Sequence, residues 1–178
     1  TGDIAVKTNG RLVIEPGVRV LFTGPYGLTV GQKAKLLAEG SDAQPIEFTA
    51  WDQATGWAGL QFVDSGSDDT LSYCRITYAN KNTGLDPQEE NATVSDANSL
   101  GGAIYCSNSD PTIENCIIAN NKGEIARGIY CADAYPLITD TVIANNSSLG
   151  GENQCGGILC DEYGAPEIWN CTIVNNFP

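Results

Sequence analysis

Apolar residues recur at every second position in short runs along this chain, and Gly, Pro, Asn and Asp break the runs. Residues 128–146 read GIYCADAYPLITDTVIANN. Ile129 and Cys131 fall on one side with Tyr130 opposite, and Thr141 and Ile143 share a side further on. Apolar positions at a period of two predict short β-strands with one buried face. Helical periodicity is absent. The same unit is written upstream as AIYCSNSDPTIENCIIANN and downstream as GILCDEYGAPEIWNCTIVNN. Cys106, Cys131 and Cys160 lie 25 and 29 residues apart, and Pro111, Pro136 and Pro166 follow them in step. So do Ile113, Ile138 and Ile168, then Ile118, Ile143 and Ile173. Each unit closes on an Asn pair, at 120–121, 145–146 and 175–176.

A repeat of this length with apolar alternation predicts a stacked solenoid, because one unit cannot bury its apolar side alone. The units leave no room for a crossover helix, so each is a coil of parallel strands. Stacked coils set equivalent residues about 4.8 Å apart and form ladders of like side chains. Asparagines stacked in this way hydrogen-bond along the ladder. The corners fall at Gly, Asn, Asp and Pro, where a turning backbone tolerates the left-handed region. The first half follows the rule less regularly, in LVIEPGVRVLF, GLTV, KLLAEG, PIEFTA and WAGLQF. LSYCRITYAN matches the second half of a later unit, with Cys74 at the position of Cys116 and Cys171. The reading is one all-β domain over residues 1–178: irregular coils at 1–80, a corner loop at 81–101 and regular repeats at 102–178.

These segments carry a resemblance. LVIEPGVRVLF through WAGLQF resembles the opening coils of secreted right-handed parallel β-helix proteins. The GIYC…P.I..C.I..NN units resemble the repeat of pectate-lyase-like and polymorphic outer-membrane-protein-like surface proteins. The resemblance implies a right-handed, single-stranded parallel β-helix, in keeping with the crossover rule, and an extracellular or cell-surface setting. It implies no single activity, since such proteins include polysaccharide lyases, glycosidases, adhesins and proteins of no known activity.

Charge narrows the partners. The 178 residues carry 9 Lys and Arg against 22 Asp and Glu, for a formal net charge of −13. Residues 1–80 hold six cations and nine acids, and residues 81–178 hold three and thirteen, so the charge splits −3 and −10. Such a surface repels phosphate backbones, which argues against nucleic acid. No apolar run is long enough to span a membrane. The chain has no His, which removes imidazole bases and ligands. It has no Met either, so the reading places its start inside a longer precursor. VNNFP ends on a corner with no polar cap, which keeps end-to-end association in view.

Seven cysteines form no CxxC pair. Cys106, Cys131 and Cys160 predict one inward column, and Cys74, Cys116 and Cys171 another, interrupted by Thr141. Such columns read as buried packing, although ladder neighbours also lie within disulfide range. Cys155, in a corner loop, reads as the exposed thiol or as a loop staple.

Candidate sites follow from what points outward. Tyr105 and Tyr130 are expected to stack on the outer face of one sheet and Trp169 to point out from another. They read either as a sugar platform, as the resemblance implies, or as cross-coil packing. The loops from Lys81, Lys122 and Ser147 leave the same corner and should gather on one side, where function concentrates. Asp86, Glu89, Glu90 and Asp96 in the first loop fit Ca²⁺ or solvent, and so does the line Asp110, Asp133, Asp161 and Glu162. The fold requires no cofactor. Arg75 beside the 81–101 loop is the candidate for a lyase groove, with Arg127 further on. Asp68 and Asp69 form an isolated acidic pair, weak for acid–base work. Asn91, Asn146 and Asn170 match glycosylation acceptors. The reading preferred is a non-catalytic scaffold binding a glycan or a protein at the loop corner. A lyase or glycosidase fragment and a self-assembling subunit are its rivals.

Overall fold

The computed structural model describes residues 2–81, 102–123, 127–148, 155–161 and 163–177. The strands fall into six coils. The first coil holds β1 (Ile4–Val6), β2 (Arg11–Ile14) and β3 (Arg19–Phe22); the second holds β4 (Leu28–Val30), β5 (Lys35–Glu39) and β6 (Ile46–Ala50). The third holds β7 (Leu60–Val63), β8 (Thr70–Ser72), β9 (Cys74–Thr77) and β10 (Asn80–Lys81). The fourth holds β11 (Ile104–Ser107), β12 (Thr112–Glu114), β13 (Ile117–Ala119) and β14 (Lys122–Gly123). The fifth holds β15 (Ile129–Ala132), β16 (Leu137–Thr139), β17 (Val142–Ala144) and β18 (Ser147–Ser148). The last holds β19 (Ile158–Asp161), β20 (Glu167–Trp169) and β21 (Thr172–Val174).

Equivalent strands of successive coils pair in parallel, giving three six-stranded sheets: β1-β4-β7-β11-β15-β19, β2-β5-β8-β12-β16-β20 and β3-β6-β9-β13-β17-β21. This is a parallel β-helix. The loops expected to start at Lys122 and Ser147 open instead as two-residue strands, and β10-β14-β18 form a short fourth ladder at the shared corner.

The register is that of the sequence repeats. Ile113, Ile138 and Ile168 are neighbours, as are Ile76, Ile118, Ile143 and Ile173. Their inward side chains make one continuous core, in which Ile76, Ile113, Ile118, Ile138 and Ile143 are fully buried. Burial is lost at the last coil, where Ile168 and Ile173 have no neighbouring coil on one side and are exposed.

The corners stack as well. Tyr73, Asn115, Asp140 and Asn170 turn the chain into the third sheet with φ between 49° and 53°. Tyr78, Asn120, Asn145 and Asn175 turn it out again with φ between 53° and 59°. Asn and Asp tolerate this left-handed region better than most residues. The second member of each Asn pair turns inward. Asn121 Oδ1 accepts from Ala79 N at 2.9 Å, and Asn121 Nδ2 donates to Ile76 O at 3.1 Å. Asn146 and Asn176 repeat the pattern one and two coils on. The ladder thus satisfies backbone groups that a buried corner leaves open. Asn146 is fully buried in it, so the glycosylation match at that residue falls on a side chain no glycan can reach in the folded chain.

Both cysteine columns are present. Cys106, Cys131 and Cys160 are in register, and Thr141 takes the place of a cysteine between Cys116 and Cys171, accepting from Cys116 N at 3.2 Å. All seven cysteines are free thiols. The exposed one is Cys160, contrary to expectation, because its coil is the last; Cys155 is half-buried with its Sγ 2.8 Å from Ile158 O.

Candidate ligand-binding groove

The third sheet shows its outer face to solvent, and a shallow groove of about 410 Å³ runs over β3, β6 and β9. Alternation decides what lines it. Val20, Phe48 and Ile76 point in, so Arg19, Glu47 and Arg75 point out as one register column. Glu47 sits between the two guanidinium groups, 2.9 Å from Arg19 Nε and 3.9 Å from Arg75 Nη1. Two positions along, Thr49 and Thr77 share a hydrogen bond of 3.0 Å between their hydroxyl oxygens on the groove floor.

One wall is the loop between β6 and the third coil. Trp57 anchors it inward, fully buried, with its ring stacked on Phe22 at 4.5 Å and its Nε1 donating to Thr77 O at 2.8 Å. Asp52 closes the loop, accepting from Thr55 Oγ1 at 2.6 Å and from Ala54 N at 3.1 Å, and these bonds hold its carboxyl below the usual range. Gly56, at φ 74°, is required here, since a Cβ would fall 2.2 Å from that of Asn80. The rigid loop presents Trp51, 72% exposed, at the groove rim.

The chemistry available is recognition. Two guanidinium groups share one carboxylate, and among the described residues the only polar partner of Arg75 is the distant Glu47 oxygen. Each Arg has five donors in a planar fork suited to carboxylates. An exposed indole offers a flat apolar surface to a sugar ring. Glu47 is the one carboxylate lining this groove among the described residues, whereas hydrolysis of a glycosidic bond uses two.

The structure places the expected site residues unequally. Arg75 lies in the groove. Tyr105 and Tyr130 are on the outer face of the first sheet and in register, but they are 6% and 5% exposed, with ring centroids 5.4 Å apart in an edge contact. Buried among Val63, Ala132 and Leu159, they form the cross-coil pair and present no open platform to a sugar. Trp169 is exposed on the second sheet of the last coil, away from the groove. Asp86, Glu89, Glu90 and Asp96 lie outside the described residues. Asp110 and Asp161 are occupied as acceptors, from Tyr135 N at 2.7 Å and Tyr130 OH at 3.2 Å. Among the described residues, no three acidic or thiol side chains gather in a group suited to a metal.

Arg127 is buried, donating to Gly123 O at 2.9 Å and Cys155 O at 3.1 Å, and so braces a corner. The pair Asp68 and Asp69 divides. Asp68 is exposed 3.4 Å from Lys35, and Asp69 is buried, accepting from Leu36 N at 2.7 Å and Ser65 Oγ at 2.6 Å. Sequence reasoning missed Arg19, Glu47, Thr49, Trp51 and Thr77. The signal was there: Arg19, Glu47 and Arg75 are spaced 28 residues apart, as are Val20, Phe48 and Ile76.

No curated protein and no solved structure matches the chain. A family model described as a right handed beta helix region matches residues 17–178. That match covers five of the six coils and most of the groove, so the chain belongs to the right-handed β-helix family.

Proposed function

We propose that this β-helix is a non-catalytic binding module of a secreted or cell-surface protein, and that its groove over β3, β6 and β9 holds a glycan bearing carboxylates. The observation that carries this reading is the Arg19–Glu47–Arg75 column beside the exposed Trp51. The guanidinium groups take a sugar carboxylate, and the indole takes the face of a ring. The cations matter more for standing on a chain of net charge −13. A local positive pair in an acidic surface selects where an anion docks.

Oligogalacturonates are a suitable probe, titrated calorimetrically in calcium and in EDTA. Binding weakened about tenfold or more by Arg75→Ser and by Trp51→Ala supports the reading. Equal affinity in all three proteins contradicts it. Unsaturated sugar ends accumulating with time make the protein a lyase instead. The EDTA arm reads whether the acidic residues of the 81–101 loop bring a metal into binding.

A second reading, end-to-end self-association, is favoured by Ile168, Trp169, Ile173 and Phe177, all exposed on the last coil. Sedimentation velocity over a range of concentrations tests it: growth in size supports association, and a constant monomer contradicts it.

A further inference from the structure

A second hollow of about 380 Å³ continues from the groove at the corner after the third sheet. Gln53 and Tyr78 line both. The groove belongs to the first three coils, and the hollow carries on to the fifth through Asn80, Asn120, Lys122 and Asn145. Two register columns build it. Tyr78, Asn120 and Asn145 occupy the left-handed corner position of successive coils. Asn80, Lys122 and Ser147 occupy the short fourth ladder beside them. Side chains in each column therefore repeat at about 4.8 Å along the helix axis.

The inner amides of this corner, Asn121 and Asn146, are committed to the ladder. The outer ones are not. Asn120 and Asn145 are exposed. Asn80 Nδ2 donates to Ala54 O at 3.2 Å, yet among the described residues its Oδ1 is buried in the hollow's wall with no hydrogen-bond donor. Native structures leave few buried acceptors without a donor. A hydroxyl brought into the hollow, with a small outward give of the exposed 53–54 wall, supplies one.

We infer that the corner hollow is a second sugar subsite, contiguous with the groove, so that an acidic oligosaccharide lies along the helix axis. Its carboxylates meet Arg19 and Arg75 at the first three coils. Its hydroxyls meet Asn80, Asn120 and Asn145, with Lys122 beside them, at the third to fifth. Amides suit sugar hydroxyls because each both donates and accepts. The spacing of the columns is close to the length of one pyranose ring, so successive coils meet successive units. This inference rests on the groove's being the glycan site and adds that the site reads chain length.

The test is calorimetric titration of di-, tri-, tetra- and hexagalacturonate. The wild-type protein is compared with a triple variant, Asn120→Gly, Lys122→Ser and Asn145→Gly, and with Arg75→Ser. The triple variant alters exposed residues, and glycine accepts the φ of 59° and 55° at the two corners, so its melting curve should overlay the wild type. The expected result is an affinity gain of about tenfold or more from dimer to tetramer in the wild type. The triple variant should bind the dimer equally well and lose the gain. A triple variant that keeps the gain overturns the subsite and leaves the groove standing, provided Arg75→Ser still weakens every length. A wild type that binds no length overturns both.

Discussion

Asn121 and Asn146 lie one coil apart with side chains joined, Nδ2 of the first donating to Oδ1 of the second at 2.9 Å. The same Oδ1 accepts from the backbone N of Asn121 at 3.1 Å, and Asn146 Nδ2 reaches Ile118 O at 3.0 Å. Asn146→Leu fills similar space but leaves Asn121 N and Ile118 O buried without partners. Each such group costs about 1–3 kcal/mol. A melting temperature lower by roughly 5–15 °C is expected for a domain of this size. An unchanged melting curve would show that the ladder contributes nothing net.

Trp57 ties the groove wall to the core through its stack on Phe22 and its bond to Thr77 O. Trp57→Ala opens a cavity worth about 3–5 kcal/mol and frees the wall carrying Trp51. Calorimetric melting should show the loss, and binding of oligogalacturonate should fall with it. Binding retained at full strength by a destabilised Trp57→Ala would detach the loop from the site.

Asp69 gives stability a pH dependence. Its carboxyl is 1% exposed, and desolvation raises its pKa despite the bonds from Ser65 and Leu36. The folded state therefore holds this proton more tightly than the unfolded chain does. The penalty for the buried charge is fully present above the folded pKa and is relieved as pH falls through it towards the unfolded value. The melting temperature of the wild type relative to Asp69→Asn should accordingly rise as pH falls across that window, then level off. A difference that shrinks on acidification would reverse the sign assigned to Asp69.

The thiols separate by burial. Desolvation pushes Cys131 up to about 12 and raises Cys106 well above the ordinary thiol value. Cys160, exposed on the last coil, is the accessible one. Because the thiolate is the nucleophile, iodoacetamide under native conditions should label Cys160 well before Cys106 or Cys131, as read by peptide mass spectrometry. Equal labelling of the column would mean that the coils open readily.

The fold was legible wherever coils have nearly equal length. Ile104, Ile129 and Ile158 are 25 and 29 residues apart, and the Cys, Pro and Asn columns around them fix the register. The earlier steps of the same sheet are unequal: 24 from Ile4 to Leu28, 32 from Leu28 to Leu60 and 44 from Leu60 to Ile104. There the insertions hide the columns, and the groove lies in that half. Arg75 was found from its own outward position, but Arg19 and Glu47 gain meaning only as its register partners. The burial of Tyr105 and Tyr130 was hidden for a related reason: alternation tells which way a ring points, not what packs around it.

The central claim, that ligand sits in the groove rather than on the last coil, is tested most directly by tryptophan emission. The three tryptophans differ: Trp51 is exposed at the groove, Trp57 is buried, and Trp169 is 64% exposed on the second sheet. Titration with tetragalacturonate should change the emission of the wild type and of Trp169→Phe alike, and leave that of Trp51→Phe unchanged. A change that survives Trp51→Phe and disappears in Trp169→Phe would place the ligand on the other sheet and contradict the account.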